Sequence, residues 1–115
     1  MPKYTNLLQF NKKTALKIIE RDNGCYFCRM EYHMFPADRM DYHFGDIMHI
    51  VPKSSLGLGI EENGVYGCRY HHSLMDNGNM GLRKEMITML ESYIQDLYPG
   101  WTRESVIYKK YKFGV

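Results

Sequence analysis

The sequence predicts a single small α+β domain, and three observations carry that prediction. Segments 14–22, 69–76 and 82–97 place apolar residues at helical spacing. Segment 42–51, "YHFGDIMHIV", is instead rich in β-forming residues. At 115 residues with 44% apolar content, the chain lies near the lower end of sizes that build their own core, and no linker, repeat or low-complexity tract divides it.

Taken in order, residues 14–22, "TALKIIERD", read as a short helix with Thr14 as N-cap, Ala15, Leu16 and Ile19 as its apolar side, and Asn23-Gly24 as a stop signal. The tight turn "CYFC" follows. Residues 29–41 have no clean period and read as a loop punctuated by Pro36. Residues 42–51 read as one strand or as a hairpin bent at Gly45, and "PKSSLGLGIEENG" as a loop. Residues 69–76, "RYHHSLMD", read as a helix ended by Asn77-Gly78. Leu82, Met86, Leu90, Tyr93, Ile94 and Leu97 mark the strongest helix, closed by Pro99-Gly100. The tail "WTRESVIYKKYKFGV" fits either a further helix or an extended arm.

No apolar run approaches the roughly 18 residues of a membrane span, and the start "MPKYTNLLQF" lacks the apolar segment of a secretory signal, so a soluble intracellular protein is expected. The net charge of +2 hides a division. Residues 1–22 carry five basic and two acidic side chains, residues 23–80 four and seven, and residues 99–115 four and one. An acidic centre between basic ends suits a cation site whose flanks hold a polyanion; solvated termini on a neutral domain would give the same pattern.

Three cysteines, an odd number, argue against a closed disulfide framework. Cys25-x-x-Cys28 and Cys68-x-x-His71 each present two metal ligands from one turn, as structural zinc sites require. A zinc ion on these four would clamp distant segments of a short chain together. With no position left for water, the role would be structural; the plain alternative is three buried free cysteines and a surface histidine.

A second constellation surrounds the first. His49 lies in "DIMHIVPKSS", Asn63 follows at +14 and His72 at +23. Next to His71 on a helix, His72 points about 100° away from it, and Asp76 shares its face at i+4, so this pair can hold one divalent cation. Two antiparallel strands, a loop and a helix around a cation would result.

The order His49, Asn63, His72, threaded through two Cys-type pairs, resembles that of the HNH endonucleases. More closely, "MHIVPKSS…GIEENGVYGCRYHHSLMDNG" resembles small HNH proteins of bacteriophages and their bacterial hosts. The resemblance implies a ββα-metal nuclease domain with core 14–80, a structural zinc site, flanking N- and C-terminal helices, and a helical and basic extension over 81–115. It implies that His49 is the general base, that Asn63 orients the loop and the base or reaches the metal, and that His72 binds the catalytic cation (Mg²⁺, Mn²⁺ or Ni²⁺). Asp76 falls where some members carry another metal-binding histidine. Cys25, Cys28, Cys68 and His71 fall on the zinc ligands, where His71 replaces the more usual cysteine. Many members have a cation ligand directly before the base; here that residue is Met48, a soft thioether unsuited to a hard cation, and Asp46 on the same strand face is the candidate replacement.

The resemblance further implies hydrolysis of DNA, held by its backbone through Lys53, Arg69, Arg83 and lysines over 109–112. It also implies a phage- or prophage-encoded protein in the host cytoplasm, monomeric or weakly dimeric, with terminase or other packaging proteins as partners. A zinc-stabilised DNA-binding module without catalysis, and a packaging subunit, are the rival expectations. His33 and His43 have no motif partner and read as surface or hydrogen-bonding residues. The nine methionines, and Trp101, Tyr108 and Tyr111, read as packing.

Overall fold

The computed structural model describes residues 6–34, 45–77 and 81–109. Expectations for Pro36, His43, the Gly78 stop signal, Lys110, Tyr111 and Lys112 lie outside the described residues.

Helix α1 (Lys12–Asp22) leads through the one-turn helix α2 (Tyr26–Arg29) towards strand β1 (Gly45–His49). Strand β2 (Gly64–Cys68) runs directly into helix α3 (Arg69–Asn77), and helix α4 (Arg83–Leu97) follows. Short 3-10 turns occupy Lys53–Ser55, Glu61–Asn63 and Arg103–Val106. The two strands pair antiparallel from Gly45↔Cys68 to His49↔Gly64. The architecture is a mixed helical domain around a two-stranded sheet, compatible with the predicted α+β class.

Two antiparallel strands are found as expected, but Gly45–His49 is one strand and not a hairpin. Its partner is β2, which the sequence reading did not place because two of the five residues in "GVYGC" are glycines. The glycine at 67 is a packing requirement: a Cβ there would lie 2.5 Å from the Met48 sulfur. Met48 therefore folds across the neighbouring strand into the core, where it is 1% exposed. Phe27, Ile50, Val65, Met75 and Leu90 join it in one cluster.

α1 begins two residues before the predicted start. Asn11 is its cap, its side chain accepting from the Thr14 N–H at 2.8 Å. Asn23 ends it in the left-handed conformation at φ 48°, as the stop signal predicts. The predicted apolar side is wrong, however. Leu16 is 56% and Ile19 42% exposed, whereas Ile18 and Asp22 are fully buried.

The cause is the carboxylate of Asp22, which fixes the rotation of the helix. Arg21 grips it with two bonds of 2.7 and 3.0 Å, the Tyr66 N–H donates at 2.8 Å and the Tyr93 hydroxyl at 2.7 Å. Arg21 also donates to the Glu61 and Gly64 carbonyls. Asp22 thereby joins α1, β2 and α4, and it occupies the Tyr66 amide on the free edge of β2.

Met86, Leu90 and Ile94 form the buried stripe of α4, while Leu97, predicted to share it, is exposed. The tail up to residue 109 is neither a regular helix nor a free arm. Trp101 is buried with its indole N–H on the Glu62 carbonyl at 2.7 Å. Leu58 N–H donates to the Val106 carbonyl and Tyr108 N–H to the Leu56 carbonyl, both at 2.8 Å. Among the described residues no helix is long and apolar enough to cross a membrane.

Candidate functional site

The two Cys-type pairs meet. Cys25 and Cys28 flank the first turn of α2, while Cys68 ends β2 and His71 lies in the first turn of α3. Their four donor atoms all lie within 4.8 Å of one another, and all four residues are buried. The Sγ atoms of Cys28 and Cys68 are 3.7 Å apart, and His71 Nδ1 lies 3.6, 3.5 and 3.3 Å from Cys25, Cys28 and Cys68. A tetrahedral zinc with ordinary bond lengths would set sulfur–sulfur edges of about 3.8 Å and sulfur–nitrogen edges of about 3.6 Å.

The tautomer of His71 fits as well. Its Nε2 faces the Tyr32 carbonyl, which can only accept, so Nε2 carries the proton and Nδ1 turns its lone pair to the sulfurs. The backbone N–H groups of Cys28 and His71 point at the Cys25 and Cys68 sulfurs, each at 3.5 Å, a contact that favours thiolates. Cys25, Cys28, Cys68 and His71 could thus bind a structural metal ion such as zinc.

The predicted second constellation opens on a cleft of about 440 Å³ whose walls include Asp46, His49, Lys53, His72, Asp76 and Arg83. His49 ends β1 and is half-buried, its ring tilted against Phe10 at a centroid distance of 4.3 Å. Its Nε2 donates to the Leu8 carbonyl at 2.8 Å. By the same reasoning as for His71, the proton sits on Nε2 and Nδ1 is the basic nitrogen. Burial pulls the His49 pKa below its ordinary 6.5; the bond to Leu8 opposes this and the charge of Lys53 adds to it.

Leu8 and Phe10 are positioning residues that sequence reasoning missed. A backbone carbonyl leaves no mark in the sequence, and no motif reaches that far upstream. Gly59 offers a retrospective signal: a Cβ there would lie 2.2 Å from the Gln9 backbone, so only glycine lets the 7–10 segment cross the loop.

Asn63 is fully buried and lies off the cleft walls. Its side-chain oxygen accepts from the Val51 N–H at 2.8 Å, and its amide donates to the Val51 and Leu58 carbonyls at 3.0 and 2.8 Å. Every bond goes into the loop that follows His49, which fits an orienting role for Asn63.

His72 and Asp76 are brought together as predicted, with Nε2 and Oδ2 2.9 Å apart. That separation serves a hydrogen bond, and it also matches the ~3.0 Å between adjacent ligands of an octahedral cation with bonds near 2.1 Å. Asp46 lines the same cleft at the exposed end of β1, with one oxygen on the Ile47 N–H at 2.9 Å. Among the described residues only the Cys₃His set forms a cluster of three or more metal donors, so Asp46 does not close on His72 and Asp76 here. Met48, expected beside the cation, packs on Gly67 in the core instead.

Fold and site together define a small helix-and-hairpin domain with a Cys₃His cluster that could hold a metal ion and an adjacent histidine-lined cleft. Comparisons of the chain with models of known protein families, with curated proteins and with solved structures return no match.

Proposed function

We propose that the chain is an HNH-type endonuclease, a zinc-stabilised hydrolase of DNA phosphodiester bonds with His49 as general base. One observation carries this reading. His49 commits Nε2 to the Leu8 carbonyl and keeps Nδ1 as a proton acceptor, in the cleft that it shares with the His72–Asp76 pair. The β1, β2, α3 succession and the soft, tetrahedrally spaced Cys₃His donors support the same reading.

In the proposed reaction His49 Nδ1 takes a proton from water as the water oxygen bonds to phosphorus. The bond from phosphorus to the 3′ oxygen breaks, leaving a 5′ phosphate and, once protonated, a 3′ hydroxyl. A divalent cation (Mg²⁺, Mn²⁺ or Ni²⁺) on His72 and Asp76, with Asp46 as a third donor, would supply positive charge to the transition state and the leaving oxygen. Asn63 holds the loop that follows His49 in register, and Lys53, Arg69, Arg83 and Lys109 would meet the DNA backbone without reading sequence. The setting is the cytoplasm of a bacterial host, with the protein phage- or prophage-encoded and monomeric or weakly dimeric.

A second reading is a DNA-binding module or a partner of phage terminase that has lost catalysis. The observation favouring it is that among the described residues no third metal donor joins His72 and Asp76.

Plasmid nicking in Mg²⁺, Mn²⁺ and Ni²⁺ separates the two readings. The endonuclease loses about 100-fold or more of its rate in His49→Ala. DNA binding without cleavage in any of the three metals, unchanged by that substitution, would leave the second reading.

A further inference from the structure

We propose that Arg83 is a phosphate-binding residue of the cleft, held against Asp76 until a divalent cation takes that carboxylate. The inference rests on the hydrolytic reading of the cleft and adds to it an order of binding.

Arg83 is the first residue of α4, outside the β1–β2–α3 unit, yet it lines the same cleft as His49 and Lys53. Its Nη1 donates to the Met75 carbonyl at 3.1 Å and lies 3.6 Å from Asp76 Oδ1. Asp76 meets His72 through its other oxygen, Oδ2. One carboxylate is therefore shared between the imidazole that would bind a cation and a guanidinium that is itself a cation.

This ion pair is weak. The Arg83 and Asp76 side chains are 40% and 53% exposed, and a contact of 3.6 Å between exposed groups gains little. The Met75 carbonyl is the firmer anchor, and it leaves most of the guanidinium fork uncommitted among the described residues. A planar fork on a backbone anchor is suited to two oxygens of one phosphate. Lys53, on the loop after His49, lines the cleft as well, so the phosphate would meet two positive groups from different elements.

A divalent cation arriving at His72 and Asp76 draws the carboxylate's charge to itself and repels Arg83. The guanidinium then turns from Asp76 to the phosphate while keeping its hold on Met75. Cation and phosphodiester thus bind with positive coupling, and Arg83 carries part of it.

The test uses the zinc-loaded chain in a His49→Ala background, so that DNA stays intact. Mn²⁺ affinity is read by calorimetry, and short-duplex affinity by fluorescence anisotropy with and without Mn²⁺. Arg83→Gln binds Mn²⁺ several-fold more tightly and loses about tenfold of the Mn²⁺-dependent gain in DNA affinity. Arg83→Lys restores the Mn²⁺ affinity to that of the parent and only part of the DNA gain, because charge returns without the fork. An Arg83→Gln protein with unchanged or weaker Mn²⁺ affinity, or with the full DNA gain, overturns the proposal. Should the chain with His49 intact not cleave DNA while these opposed shifts appear, the hydrolytic reading fails and the role of Arg83 stands.

Discussion

The Cys₃His cluster and the cleft share helix α3, through His71 in one and His72 and Asp76 in the other, yet they differ in burial and in how many donors meet. At the cluster all four donors are buried and lie within 4.8 Å of one another, with His71 Nδ1 to the three sulfurs and Cys28 Sγ to Cys68 Sγ at tetrahedral edge lengths. At the cleft His72 and Asp76 are 29% and 53% exposed, and among the described residues they are not joined by a third donor. A closed shell resists water and suits a clamp; an open pair leaves room for a substrate. Adjacent residues, His71 and His72, serve these opposite ends because a helix turns its side chains by 100° per residue.

The comparison breaks first at the clamp. Removing metal with a strong chelator, or replacing Cys68 with Ser, is expected to unfold the domain, because structural zinc can contribute about 10–16 kcal/mol and domains of this size have only about 5–15 to lose. Circular dichroism read alongside zinc content checks this. A metal-free chain that still melts cooperatively at the original temperature would reduce the cluster to ordinary core packing.

The next largest effect belongs to Asp22, which holds the sheet beside the clamp. Asp22→Ala leaves Arg21 buried without its partner and frees the Tyr66 N–H and the Tyr93 hydroxyl, a loss of about 3–5 kcal/mol. Urea unfolding of the metal-loaded protein measures it. A shift below 1 kcal/mol would mean that water replaces the lost bonds.

The smallest effect sharpens the open side. The His49 pKa is depressed in the folded chain, so the imidazole stays neutral below pH 6.5 and binds a proton only as the pH falls through the lowered value. Under the proposed reaction, the acid limb of the cleavage profile should therefore have its midpoint below 6.5. In the same window the unfolded chain binds the extra proton, so His49 favours folding fully above pH 6.5 and progressively less as the pH drops. A midpoint at or above 6.5 would point to a different group as the base.

The two centres were also unequally legible in the sequence. The clamp could be read because each Cys-type pair is local: four residues of one turn fix two donors, and the chemistry of sulfur narrows the rest. His72 and Asp76 were legible for the same reason, as neighbours on one helix. What gave His49 its tautomer was invisible, since the Leu8 carbonyl differs in no way from any other carbonyl. β2 was not placed because of its glycines, of which Gly67 makes room for Met48 and Gly64 for Ile18 and Phe10. The face of α1 was misread because a buried carboxylate, Asp22, outranked Leu16 and Ile19 in setting the helix rotation. Local chemistry shows in a sequence, whereas long-range hydrogen bonding to the backbone does not.

The loop at 56–59 is held from both sides. Gly59 N–H reaches the Leu7 carbonyl at 2.8 Å, while Leu56 and Leu58 bond to Tyr108 and Val106. Contacts spanning some fifty residues in each direction set a timetable for a chain leaving the ribosome. The Cys₃His clamp has all its ligands once residue 71 has emerged. The loop after His49 gains its bonds from Leu56 and Leu58 to the tail only once residue 108 is free. A nascent chain would therefore bring the four cluster residues together before the 56–59 loop is fixed.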